Sequence, residues 1–206
     1  FAFLEGGTAW AAQLYNNLFE YWEKRNLTAL RETLDPAVLD VDLLVEMFEK
    51  YGNSYLTPER IRSMPHQSDA QGSPTGLTPE DMDDFGPAGI EAPEDIRDIF
   101  ANNFYFGSEA DDRMTAVGFD PKFNEFGIKL KAILGSDIGH WDVPDMQGVL
   151  LEAWELVERG QLGEADFRDF TFRNAVDLFA SGNPDFFEGT AVASACQEEI
   201  QRDPAP

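Results

Sequence analysis

The sequence predicts an α/β fold built on a parallel sheet, and three observations carry that expectation. Three short apolar runs, at residues 1–4, 103–107 and 130–134, have the length and composition of buried strands. Stretches with helical spacing of apolar residues lie between and after them, giving the order strand, helices, strand, helix, strand, helices. Such alternation builds parallel pairs through right-handed crossovers. Each run also ends at or just before a carboxylate: Glu5, Glu109 and Asp137.

The elements follow in order. After Glu5-Gly6-Gly7, Thr8 is placed to cap a helix running to about Arg25. Trp10, Ala11, Leu14, Leu18, Tyr21 and Trp22 form its apolar stripe, and Asn26 is its expected stop. Asp40 caps a second helix with Val41, Leu44, Val45 and Phe48 on one face, ending at Gly52. Residues 53–92 are rich in Pro, Gly, Ser and Asp, and read as an irregular excursion with short helical turns after Thr57 and Thr78. The excursion is expected over the face where the strands end. Residues 93–101 form a helix with Pro93 at an early position, and a helical turn is expected over 112–117. The third strand leads to a helix over 146–158, with Met146, Val149, Leu150, Ala153, Trp154 and Val157 on one face and Gly160 as its stop. Residues 164–170 and 171–180 are further helical pieces, Asn183-Pro184 breaks the last, and one more helix follows Ala191 before Asp203-Pro204.

Composition narrows the function. With 206 residues, 43% of them hydrophobic, the chain reads as a single domain over residues 1–206, complete in itself or part of a larger one. It carries 39 acidic and 15 basic residues, a formal charge of −24. Such a surface repels phosphate backbones and anionic lipid, so neither nucleic acid nor membrane is an expected partner; a small-molecule substrate is, with a homo-oligomer left open. The single cysteine, Cys196, excludes an internal disulfide and a multi-cysteine zinc site, and reads as inert because no basic neighbour activates it. No apolar run is long enough to span a membrane and no signal-peptide pattern is visible, so a cytoplasmic location is expected. The chain opens inside a strand-like run without an initiator Met, which reads as the downstream part of a longer polypeptide.

The chemistry concentrates at the strand ends. In a sheet of alternating strands and helices those ends converge on one face, where active sites form. Three carboxylates there repel one another unless a proton or cation relieves them, and a bound divalent metal does so economically. Acids after strands also cap the helices that follow, and that reading stands beside the first. The densest cluster is Gly135-Ser136-Asp137-Ile138-Gly139-His140-Trp141-Asp142, which holds one of the two His residues. Asp and His both bind zinc, and a metal-bound water needs a base to take its proton. A hydrogen-bonded loop explains an Asp and a His three apart equally well. Arg113 follows Glu109-Ala110-Asp111-Asp112; it either grips a substrate carboxylate or pairs with those acids. Trp141 either walls a substrate pocket or packs in the core. His66, in the polar excursion, reads as solvated.

The Gly135-Ser136-Asp137 segment with its His140-Trp141-Asp142 continuation resembles the eighth-strand motif of the amidohydrolase-related family, the branch that holds aminocarboxymuconate-semialdehyde decarboxylase and related metal-dependent hydrolases. Phe3-Leu4-Glu5-Gly6-Gly7 with Ala9-Trp10 resembles that family's sixth-strand segment. Asn183-Pro184-Asp185-Phe186-Phe187-Glu188-Gly189-Thr190 resembles the closing segment of one subgroup. These matches run from Glu5 to Thr190, nearly the whole chain.

The resemblance implies the C-terminal part of a TIM-type (β/α)8 barrel with parallel strands and extra helices, the three strands being the last of eight. It implies a mononuclear divalent metal, usually zinc, with Asp137 as metal ligand and proton carrier. It implies Asp137 as catalytic, with His140 and Glu5 at positions matching its motifs, and these three are the expected catalytic residues; Glu109, Arg113 and Trp141, read from the residues themselves, are the expected substrate-binding ones. Many relatives carry His where this chain has Glu5, and the family's remaining His ligands would lie before Phe1. The expected activity is hydrolysis or decarboxylation of a small carboxylated or cyclic organic substrate. The competing expectation is a non-catalytic acidic barrel fragment that serves packing and partner contact.

Overall fold

The computed structural model describes residues 1–33, 40–63 and 78–202. It is a mixed α/β structure, mostly helical, with a three-stranded parallel sheet that is not closed into a barrel. The strands are β1 (Ala2–Phe3), β2 (Tyr105–Glu109) and β3 (Lys131–Gly135), in the order β1-β2-β3. Register pairs Phe3 with Phe106, and Glu109 with Gly135. Closing a barrel requires each edge strand to find a further partner, and among the described residues β1 and β3 have none beyond β2. Residue contacts divide the chain into two compact units, residues 1–18 with 94–206, and residues 19–93, where composition reads as one domain.

The first unit holds the sheet. Helix α1 (Ala9–Arg25) begins after Thr8, and in this unit it buries the expected Ala11 together with Ala12 and Tyr15, while the expected Trp10 and Leu14 are exposed. Both stripes satisfy helical spacing, and the one chosen lets Tyr15 meet Phe100 with ring centroids 5.2 Å apart. Residues 1–4 are exposed despite their apolar composition, because β1 is an edge strand paired on one side only.

Further along the chain come α6 (Pro93–Asn103) and α7 (Thr115–Phe119), and helix α8 (Val149–Glu158) buries Val149, Ala153 and Leu156. Leu150 and Met146, expected on the core face, are exposed. The two helical pieces expected over 164–180 form one continuous run. It contains α9 (Glu164–Arg168), a π-helical turn (Asp169–Arg173) and α10 (Asn174–Ala180). The wider turn sets Phe170 into a core with Phe119, Ala132, Val149, Ala153 and Leu156. It also aims the Asn174 amide at the carbonyl of Ala132, to which it donates at 2.8 Å, satisfying a buried acceptor on the open edge of β3. Helix α11 (Ala193–Ile200) places Cys196 in a buried cluster with Val176 and Ala180. Burial pushes the Cys196 thiol up, in keeping with an inert residue. The buried Glu199 on α11 accepts from Arg168, which holds its carboxyl below the usual range, with Arg173 and Arg202 as further ion-pair partners.

The second unit is helical. Asn26 ends α1 and also starts the next helix: its amide donates to Trp22 O at 2.7 Å while its oxygen accepts from Ala29 N, which caps α2 (Leu27–Thr33). Helix α3 (Val41–Tyr51) is capped by Asp40 as expected and stops at Gly52. The excursion carries the two expected turns, α4 (Pro58–Ser63) and α5 (Pro79–Met82), the latter with a complete Thr78–Asp81 capping box. Residues 64–77 of the excursion, His66 among them, and the Asp203-Pro204 stop lie outside the described residues. No helix among the described residues is long and apolar enough to cross a membrane.

Candidate functional site

The parallel arrangement brings the three strand-end acids to one end of the sheet in the first unit. Glu5 lies two residues beyond β1, Glu109 is the last residue of β2, and Asp137 lies two residues beyond β3. The chain leaving β1 passes close to β2: Gly7 N donates to Gly107 O at 2.9 Å, and a Cβ at Gly107 would stand 3.0 Å from Leu4 Cα. Glycine at 107 therefore permits the approach that carries Glu5 toward Glu109.

Glu5 (φ 59°) and Asp137 (φ 48°) both adopt the left-handed backbone region that costs an L-residue about 1–3 kcal/mol. Among the described residues only Phe126 shares it outside glycine. Two of three such positions thus fall on the residues singled out for catalysis, where strain of this kind tends to concentrate.

The acids act on one another electrostatically. Burial, then the charges of Asp137, Asp111, Asp142 and Glu5, push the Glu109 carboxyl above its usual range. A raised carboxyl value means the folded state holds the proton more tightly than the unfolded chain. Its contribution to stability is present at low pH and is lost as pH rises from about 4.3 through the raised folded value. Glu109→Gln is therefore expected to raise the melting temperature at pH 7 and to leave it unchanged near pH 3. Thermal melts at the two pH values check this, and equal effects at both would remove the charge explanation.

Beside Glu109 and Asp137 opens a cleft of about 810 Å³, set between the ends of β2 and β3 and helix α8. Its lining includes Asp142 and Asp145 from the loop after β3 and Glu152, Glu155 and Glu158 from α8, and no basic residue. The α8 acids recur every third residue opposite the buried stripe. That spacing was visible in the sequence, but it is indistinguishable there from an ordinary solvated face.

His140 Nδ1 lies 3.6 Å from Asp137 Oδ2, too far for a good hydrogen bond, while its backbone N–H donates to Asp137 O at 2.9 Å and closes the turn. Trp141 is 93% exposed and lies outside the lining of this cleft, which corrects the core-packing expectation. Arg113 is exposed, and among the described residues it pairs with neither Asp111 nor Asp112. Those two aspartates instead belong to the turn that leaves β2. The structure thus gathers Glu5, Glu109 and Asp137 with His140 beside them, and leaves Arg113 and Trp141 facing solvent.

A metal centre needs several converging donors, typically three protein ligands at a catalytic site. No group of three or more His, Cys, Asp or Glu among the described residues is arranged to hold a metal ion. These residues alone do not fit one; Asp137 would be a single ligand among donors from elsewhere.

In comparisons with known proteins the chain matches no family model, no curated protein and no solved structure.

Proposed function

We propose that this chain carries the proton-transfer end of a metal-dependent hydrolase or decarboxylase of the amidohydrolase superfamily, on strands that belong to a (β/α)8 barrel. The observation that carries the reading is the convergence of Glu5, Glu109 and Asp137 at the C-terminal ends of three parallel strands, with Glu5 and Asp137 both in strained backbone. Asp137 is the proton carrier. In hydrolysis its carboxylate takes a proton from the water that attacks a carbonyl carbon and returns it to the leaving group. In decarboxylation it delivers the proton to the carbon that keeps the electron pair as carbon dioxide departs. Glu109, its carboxyl pushed above the usual range by burial and by Asp137, stands beside Asp137 at the substrate. His140 stands beside Asp137, and its backbone N–H closes the turn that carries Asp137. A cleft lined by acids and no base favours a neutral cyclic substrate, such as a lactone or cyclic amide, over a carboxylated one.

The lack of a three-donor metal cluster among the described residues favours a second reading, an acidic module without catalysis. The test is turnover on a panel of lactones, cyclic amides and enoic acids, with bound metal measured on the same preparation. The enzyme reading expects turnover that a chelator removes and a divalent cation restores. Absence of both metal and turnover leaves the acidic module.

A further inference from the structure

We propose that Asp112 is a positioning residue that braces the loop after β2 and backs it against the loop after β1, and so sets where Glu5 and Glu109 stand; the inference rests on the functional reading above. Asp112 brackets Glu109. Its backbone N–H donates to Glu109 O at 3.3 Å, closing the turn, and its Oδ2 accepts from the hydroxyl of Ser108, the residue before Glu109, at 3.0 Å. Its other oxygen, Oδ1, accepts from Met114 N at 2.8 Å, which holds the carboxylate in one orientation.

The same Oδ2 packs on the loop from β1. A Cβ at Gly7 would lie 2.6 Å from it, so the carboxylate occupies the space a side chain at position 7 would need. Gly7 also has φ +65°, and only glycine serves there at no steric cost. Gly7 is two residues from Glu5. The next residue, Thr8, is fully buried and donates from its hydroxyl to Met114 O at 2.9 Å, while the buried hydroxyls of Ser108 and Thr115 bond each other. The Thr8–Met114 bond crosses from one loop to the other, the Ser108–Thr115 bond closes the second loop on itself, and Asp112, bonded to Ser108 and Met114, packs against Gly7 where the loops meet. It lines no part of the cleft, so its reach to the site runs through the loops alone.

The test compares Asp112→Ala, Asp112→Asn and Ser108→Ala in the intact protein. It reads the side-chain carboxyl 13C resonances of Glu5 and Glu109 at pH 7, together with kcat and KM on the substrate found by the panel. Asp112→Ala is expected to move both resonances and to lower kcat by up to about 10²-fold with KM near wild type, the signature of misplaced groups. Asp112→Asn is expected to restore both, since the amide oxygen accepts from Met114 and the amide N–H donates to Ser108. Ser108→Ala, which removes the donor to Oδ2 together with the bond to Thr115 but leaves the Met114 bond, shifts the same resonances and replaces Asp112→Ala should that variant not fold. Either resonance staying at its wild-type position in Asp112→Ala overturns the proposal, as does Asp112→Asn behaving like Asp112→Ala. Resonances that move as expected in a protein without turnover uphold the positioning role and sink the enzymatic reading alone.

Discussion

Asp137→Asn is expected to reduce turnover by roughly 10²–10⁴-fold, the range that a positioned acid or base contributes, while leaving the fold intact. An amide keeps the shape of the carboxylate and one acceptor oxygen, but it neither takes a proton at neutral pH nor carries the charge. The local backbone tolerates the change, because Asn, like Asp, enters the left-handed region more readily than other residues, and Asp137 sits at φ 48°. Melting temperature should therefore stay near wild type, which separates loss of chemistry from loss of structure. Glu5→Gln distinguishes two roles for the neighbouring acid: a mild loss if Glu5 only shapes the field around Glu109, a comparable one if it shares the proton. If Asp137 merely shapes the turn that His140 closes, Asn serves almost as well and turnover stays close to wild type. Turnover and melting temperature measured on the same preparations decide between these outcomes.

Phe170→Ala is expected to cost about 3–5 kcal/mol of stability. At roughly 2–4 °C per kcal/mol for a chain of this size, that lowers the melting temperature by about 6–20 °C. Phe170 is 0% exposed and meets Phe119 edge-on, with centroids 6.5 Å apart. It stands in the π-helical turn, whose backbone is held on one side by α9 and on the other by the Asn174 bond to β3. Those anchors keep the wall from collapsing into the void that alanine leaves, which places the expected cost at the upper end. Phe170→Leu refills much of the volume and should recover more than half of the loss. Calorimetric melts of both variants check this; a drop of only a degree or two for Phe170→Ala would show that the turn relaxes.

Local features were the legible part of this protein. The turn after Thr78, Asp40 before its helix, and Gly52 and Gly160 after theirs act through neighbours a few residues away, so spacing alone located them. Glu5, Glu109 and Asp137 were legible for a related reason. In a parallel sheet every strand points the same way, so a carboxylate at each C-terminal end must reach a common end. The sequence by itself therefore determined the sheet's direction and the acids at its end. It could not decide on which side of Ala11 the buried stripe lies, because Trp10 and Leu14 satisfy helical spacing as well as Ala12 and Tyr15 do. That choice depends on what each face meets. Exposure of Trp141 and Arg113, the merging of α9 and α10 through a wide turn, and the acid-lined wall supplied by α8 were likewise decided only by the tertiary structure. Each depends on contacts between residues far apart in the chain, as Asn174 and Ala132 are. Asp112 belongs with them: it looked like one more acid in an acidic run, and only the approach of Gly7 and Ser108 shows what it holds together.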